Sequence, residues 1–132
     1  MIKTILTGDT DNLNDCGIVA VSQFLDKDYD EVYRDFKPFL RDEGSTPIGA
    51  ISNYHPIKDE LLCEMVIMEP WQRQKVNHFV KKHSKGTYIL VVKSYGEYHF
   101  VCMKDGIFYE KDECPDFYQK GKVKYFWKRD DE

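Results

Sequence analysis

The tripeptide Lys104-Asp105-Gly106 most constrains what this chain can fold into. Asp-Gly supplies the positive φ angles that a two-residue hairpin loop demands, and it lies between two β-prone runs, 98–103 and 107–111. A two-residue loop pairs Lys104 with Ile107. Counting outward then sets Val101 opposite Glu110 and His99 opposite Asp112. Paired residues share a sheet face, so His99, Glu110 and Asp112 fall together, and a one-residue slip would turn the opposite set toward that face.

The remaining elements arrange themselves around this hairpin. Residues 87–93 form a strand that joins 98–103 through Ser94-Tyr95-Gly96, and a last strand covers 122–128. Residues 2–7 are short and β-rich, 8–14 are a polar loop, and 62–68 read as a buried strand or a helix, with strand preferred. From Asp15, Cys16, Ala20 and Phe24 recur at four-residue steps beside Ile18, Val21 and Leu25, which predicts a mostly buried helix ending at Leu25 or Asp26. A second helix spans 28–41, with Pro38 finishing it near Phe36. Ser45-Thr46-Pro47 opens a short third helix that ends before Pro56. A fourth begins at Pro70, with Trp71, Val76, Phe79 and Val80 as its apolar set and basic residues in its last turn. Helices come first and an antiparallel sheet follows, the order of an α+β fold built as one domain over residues 1–132.

A chain of 132 residues can bury roughly two-thirds of its unfolded surface, so no metal or disulfide staple is required. Hydrophobic residues at 42% and charged residues at 32% exclude a disordered chain. Nineteen basic side chains against 23 acidic ones give a net charge of −4, which excludes a general phosphate-backbone binder and favours a basic partner. The mixed segment Lys120 to Arg129 is read as an edge strand guarded by lysines rather than as a nucleic-acid contact. No apolar run reaches the ~18 residues of a membrane span, and the first residues lack a secretion signal. The expectation is a cytoplasmic protein with reduced thiols. Its four cysteines, Cys16, Cys63, Cys102 and Cys114, contain no Cys-x-x-Cys pair, so neither a metal site nor a cofactor is expected.

The stretch Asn14-Asp15-Cys16-Gly17 carries chemistry because it places a thiol in the first turn of an apolar helix. The free N–H groups there favour a thiolate and hold an oxyanion. Gly17 leaves room for a substrate backbone, while Asp15 opposes the thiolate if its carboxylate faces Cys16. A nucleophilic cysteine needs a base. His78 and His83 read as surface residues of a basic helix end, and His55 precedes a proline in a loop. His99, inside a strand, is the histidine that a rigid sheet can aim at a helix terminus. Read singly, it is also an ordinary half-buried strand histidine. Glu110 and Asp112 then supply the carboxylate that orients an imidazole.

These residues resemble a family. Asn14-Asp15-Cys16-Gly17 opening a helix, the run Gly86 to Val92, and the run His99 to Glu110 are similar to the papain-like cysteine peptidases. Within them, the likeness is to the small bacterial and phage branch related to the peptidases that clip leader peptides from bacteriocins. The likeness covers the order of elements over residues 12–112. It implies N-terminal helices with the nucleophile at a helix start, packed on a C-terminal antiparallel sheet. It also implies Cys16 as nucleophile, His99 as general base and acid, and Glu110 as the orienting carboxylate. Where the family usually has Gln, six positions before the nucleophile, this chain has Thr10, so Asn14 or Asn12 stands as the oxyanion amide donor. The family's third residue is usually Asp or Asn, which keeps Asp112 beside Glu110.

The function expected is a thiol hydrolase, a cysteine protease in the broad sense, that cleaves a peptide, isopeptide or other amide of a peptide or protein substrate. Two alternatives stand beside it: an idle papain-like fold that binds or inhibits a target protein, and a Cys–His acyltransferase or deamidase.

Overall fold

The computed structural model describes residues 3–7, 14–94, 96–111 and 115–129. The molecule is a mixed α+β fold around a six-stranded sheet. The elements are β1 (Lys3–Leu6), α1 (Cys16–Leu25), α2 (Tyr29–Phe36), α3 (Ile48–Ser52), β2 (Val66–Ile67), α4 (Val76–Lys82), β3 (Thr87–Ser94), β4 (Glu97–Lys104), β5 (Ile107–Glu110), α5 (Pro115–Lys120) and β6 (Lys122–Lys128). The strand order is β1-β5-β4-β3-β6-β2. Every pairing is antiparallel except β1 with β5, so the expected antiparallel sheet gains a parallel strand from the N-terminal segment at one edge.

The hairpin register is the one that Asp-Gly implies. Lys104 pairs with Ile107, and Asp105 and Gly106 take φ angles of 48° and 81°, the left-handed values of a two-residue loop. Both faces of the sheet are covered. β3 is therefore a continuous apolar run, with Ile89 and Val91 facing one layer and Tyr88, Leu90 and Val92 the other. On the first face lies α1, whose Ile18, Val21 and Phe24 are fully buried, with Val32 and Phe36 of α2 behind it. A helix that is apolar nearly all round belongs in the interior, and α1 runs across β4 at the middle of the molecule. On the second face, Phe79 of α4 and Tyr118 of α5 pack against Leu90, Val101 and Phe108.

Several expectations are corrected. Pro38 does finish α2, whose helical geometry gives way to a 3₁₀ turn over Lys37–Phe39. The fourth helix starts at Val76 rather than Pro70. Residues 70–72 form a turn instead, in which Gln72 caps Glu69 through the Glu69 N–H, and Trp71 is 80% exposed with no core to join. Residues 62–68 yield only the two-residue strand β2. That short strand covers β6, so the lysine-rich segment is not the sheet edge. The helix α5 was not anticipated, although Pro115 at its first position and Lys120 in its last turn are ordinary start and stop signals.

Candidate active site

Cys16 is the first residue of α1, and Asp15 before it has non-helical backbone angles. The helix is driven against β4 because Gly17 has no side chain. A Cβ there would lie 2.7 Å from both Phe100 Cδ2 and Thr46 Cβ. The space above Gly17 is thus filled by protein, and the expected room for a substrate backbone at that position does not exist. The close approach instead brings the thiol onto β4, where the Phe100 N–H and the His99 side chain both hydrogen-bond to it. Burial pushes the Cys16 thiol up. The His99 bond and charge, with the Phe100 N–H, outweigh burial and the small opposing push from Asp15, so the pKa lies below the ordinary thiol value.

His99 is 8% exposed and Glu110 3% exposed. Glu110 Oε1 lies 2.7 Å from His99 Nε2. The hairpin produces this contact. The paired rungs run from Lys104–Ile107 to Cys102–Tyr109, and Glu110, the residue after the last rung, reaches His99 on β4. The Tyr118 hydroxyl donates to Glu110 Oε2, and the Phe117 ring lies over the imidazole with centroids 5.0 Å apart. The buried carboxylate is therefore hydrogen-bonded through both oxygens, as a buried charge requires.

Asp15 is 2% exposed. The Tyr29 hydroxyl donates to its Oδ2 at 2.6 Å, and Lys111 Nζ lies 3.0 Å from its Oδ1. The acid next to the thiol is thus held by a cation and a hydroxyl. Asn14 has a left-handed φ of 56° and donates its side-chain N–H to the Glu43 carbonyl at 2.7 Å, tying loop 41–45 to the start of α1. Asn12 and Asp112, the other candidates for oxyanion donor and third residue, lie outside the described residues, as does Thr10.

The remaining histidines stand apart. His55 is exposed and pairs with Asp59 and Glu60, His78 is exposed, and the His83 ring stacks on Phe79 with centroids 4.0 Å apart. Cys102 is buried in the core, which pushes its thiol up to about 12. Cys63 donates to the Lys128 carbonyl at 3.2 Å. Among the described residues, no group of three His, Cys, Asp or Glu is placed to hold a metal ion, and no helix is long and apolar enough to cross a membrane.

Two spaces flank the thiol. A chamber of about 60 Å³ behind it is lined by Asp15, His99, Glu110 and Lys111. In front, a groove of about 320 Å³ runs between loop 41–48 and β4. Tyr98 lines this groove, whereas Phe79 packs in the core and Trp71 points to solvent. Sequence reasoning missed Tyr118, Phe117, Lys111, Tyr29 and Thr46, all of which take their meaning from contacts between distant segments. No protein-family model, curated protein or solved structure matches the chain.

Proposed function

We propose that this protein is a thiol-dependent hydrolase of amide bonds in a peptide or protein, with Cys16 as nucleophile, His99 as base and acid, and Glu110 as orienting carboxylate. The observation that carries the reading is the hydrogen-bonded series Cys16–His99–Glu110–Tyr118, which links an acidified thiol to a buried carboxylate. Its parts follow the resemblance to papain-like peptidases that the Asn-Asp-Cys-Gly and His99–Glu110 stretches carry.

The chemistry follows from which ring nitrogen faces what. Nε2 faces a carboxylate, so it keeps its proton, and Nδ1 is left to exchange a proton with the thiol. The resulting imidazolium is held between thiolate and Glu110. The thiolate sulfur attacks the substrate carbonyl carbon, and the carbonyl π electrons move to oxygen. The Cys16 N–H at the start of α1 faces no backbone acceptor among the described residues and is placed to stabilise that oxyanion. Collapse of the intermediate expels the amine, which takes the Nδ1 proton, leaving a thioester. Nδ1 then deprotonates water for attack on the thioester, and the released thiolate recovers its imidazolium partner.

The reading is tested with a peptide library incubated with wild type and with Cys16→Ala, cleavage products being identified by mass spectrometry. New termini that depend on Cys16, together with a transient Cys16 thioester trapped by acid quenching, support hydrolysis. A stable complex with an intact target protein and no thioester supports the binding-module alternative. A thioester transferred to an added amine supports acyl transfer.

A further inference from the structure

Only one charged residue, Arg41, lines the groove in front of Cys16 among the described residues, and it makes no ion pair among them. Its backbone is held in a tight turn: the Arg41 N–H donates to the Ser45 carbonyl at 3.0 Å and the Gly44 N–H to the Arg41 carbonyl at 2.8 Å. Asn14 pins the same turn to the start of α1. Asp42 and Glu43 on the same loop are open to water, and Glu43 accepts the Ser45 hydroxyl at 2.7 Å.

The opposite wall presents donors as well. Lys124 Nζ donates to the Tyr98 oxygen at 2.8 Å, which leaves the phenol proton to be donated elsewhere. That Lys124 bond also lowers the pKa of the phenol and makes it a stronger donor. Lys93 and Lys124 lie 5.9 and 5.2 Å from the Tyr98 ring centroid, so the field on this side is positive. At the floor, Thr46 is 4% exposed, its hydroxyl buried against Gly17. An arginine and a phenol lining one space match an anionic acceptor with several lone pairs.

We propose that the groove selects a substrate segment bearing an Asp or Glu side chain close to the scissile bond, with Arg41 as the specificity-determining residue and the Tyr98 phenol as a second donor to the same carboxylate. This rests on the thiol-hydrolase reading of Cys16. It also reverses the expectation drawn from the net charge, because the cleft and the surface as a whole differ in sign.

The test separates specificity from catalysis by alkylating Cys16 with iodoacetyl tripeptide amides. Each carries Glu, Gln or Lys at the first, second or third position among glycines, and plain iodoacetamide serves as reference. At one position the Glu probe should label Cys16 roughly tenfold faster than the Gln probe, the scale of one charge-assisted bond, with the Lys probe slowest. Arg41→Gln should abolish that preference, read within each protein as the ratio of the Glu-probe to the Gln-probe rate, while Arg41→Lys keeps part of it. The proposal is overturned if Glu shows no advantage at any position, or if the advantage survives Arg41→Gln. Failure of iodoacetamide itself to label Cys16 in wild type removes the thiol-hydrolase reading, and this proposal with it.

Discussion

Lys111 Nζ lies 3.0 Å from Asp15 Oδ1, so a cation from the end of the hairpin neutralises the buried acid that precedes the candidate nucleophile. Lys111→Met would take from the buried Asp15 carboxylate the cation at its Oδ1. The expected results are a loss of about 3–5 kcal/mol in unfolding free energy and a rise in the pH at which Cys16 becomes reactive. Asp15→Asn should move that pH in the opposite direction, because it removes the charge that opposes the thiolate. Urea unfolding and pH-dependent alkylation read the two effects separately.

Glu110→Gln keeps the shape of the carboxylate and removes its charge. A hydrolase dependent on an oriented imidazole should lose about 10²- to 10⁴-fold in turnover on any peptide that the library identifies. Tyr118→Phe removes one hydrogen bond to a charged group and should cost about 1.5–3 kcal/mol of stability. If turnover survives Glu110→Gln intact, Glu110 has only a packing role.

Gly17→Ala places a methyl group against Phe100 and Thr46. Overpacking at such a point costs about 1–3 kcal/mol, visible as a lower urea midpoint with an unchanged slope. The same variant should alkylate more slowly at Cys16, because the helix start must retreat from the Phe100 N–H.

The acidified thiol also links stability to pH. The folded pKa of Cys16 lies below the unfolded value, so its stabilising contribution is full above the unfolded thiol pKa of about 8.5 and is lost as pH falls through the folded pKa. The difference in unfolding free energy between wild type and Cys16→Ser should therefore grow as pH rises through that window and level off above it. A constant difference across the window would place the Cys16 pKa at its unfolded value.

What was legible in the sequence was local. Asp105-Gly106 specifies its own register, and that register puts His99 and Glu110 on one face before any coordinates exist. The apolar run after Asp15 likewise marks a buried helix with Cys16 at its start. What was not legible depends on contacts between distant segments. Nothing near Gly17 shows that Thr46 and Phe100 fill the space above it. The tethers Lys111–Asp15 and Asn14–Glu43 span long stretches of chain. α5 is too short to show a helical period, yet it carries the tyrosine that completes the Glu110 hydrogen bonds.

The most direct measurement is alkylation of the native protein by iodoacetamide across pH, read cysteine by cysteine by mass spectrometry, for wild type and His99→Ala. Cys16 should react at a pH below that of an ordinary thiol while Cys102, pushed up to about 12 by burial, stays unmodified. His99→Ala should shift the Cys16 profile upward. A Cys16 that titrates as an ordinary thiol in wild type, or one whose profile does not move when His99 is removed, would contradict the Cys16–His99 pair on which the proposed function stands.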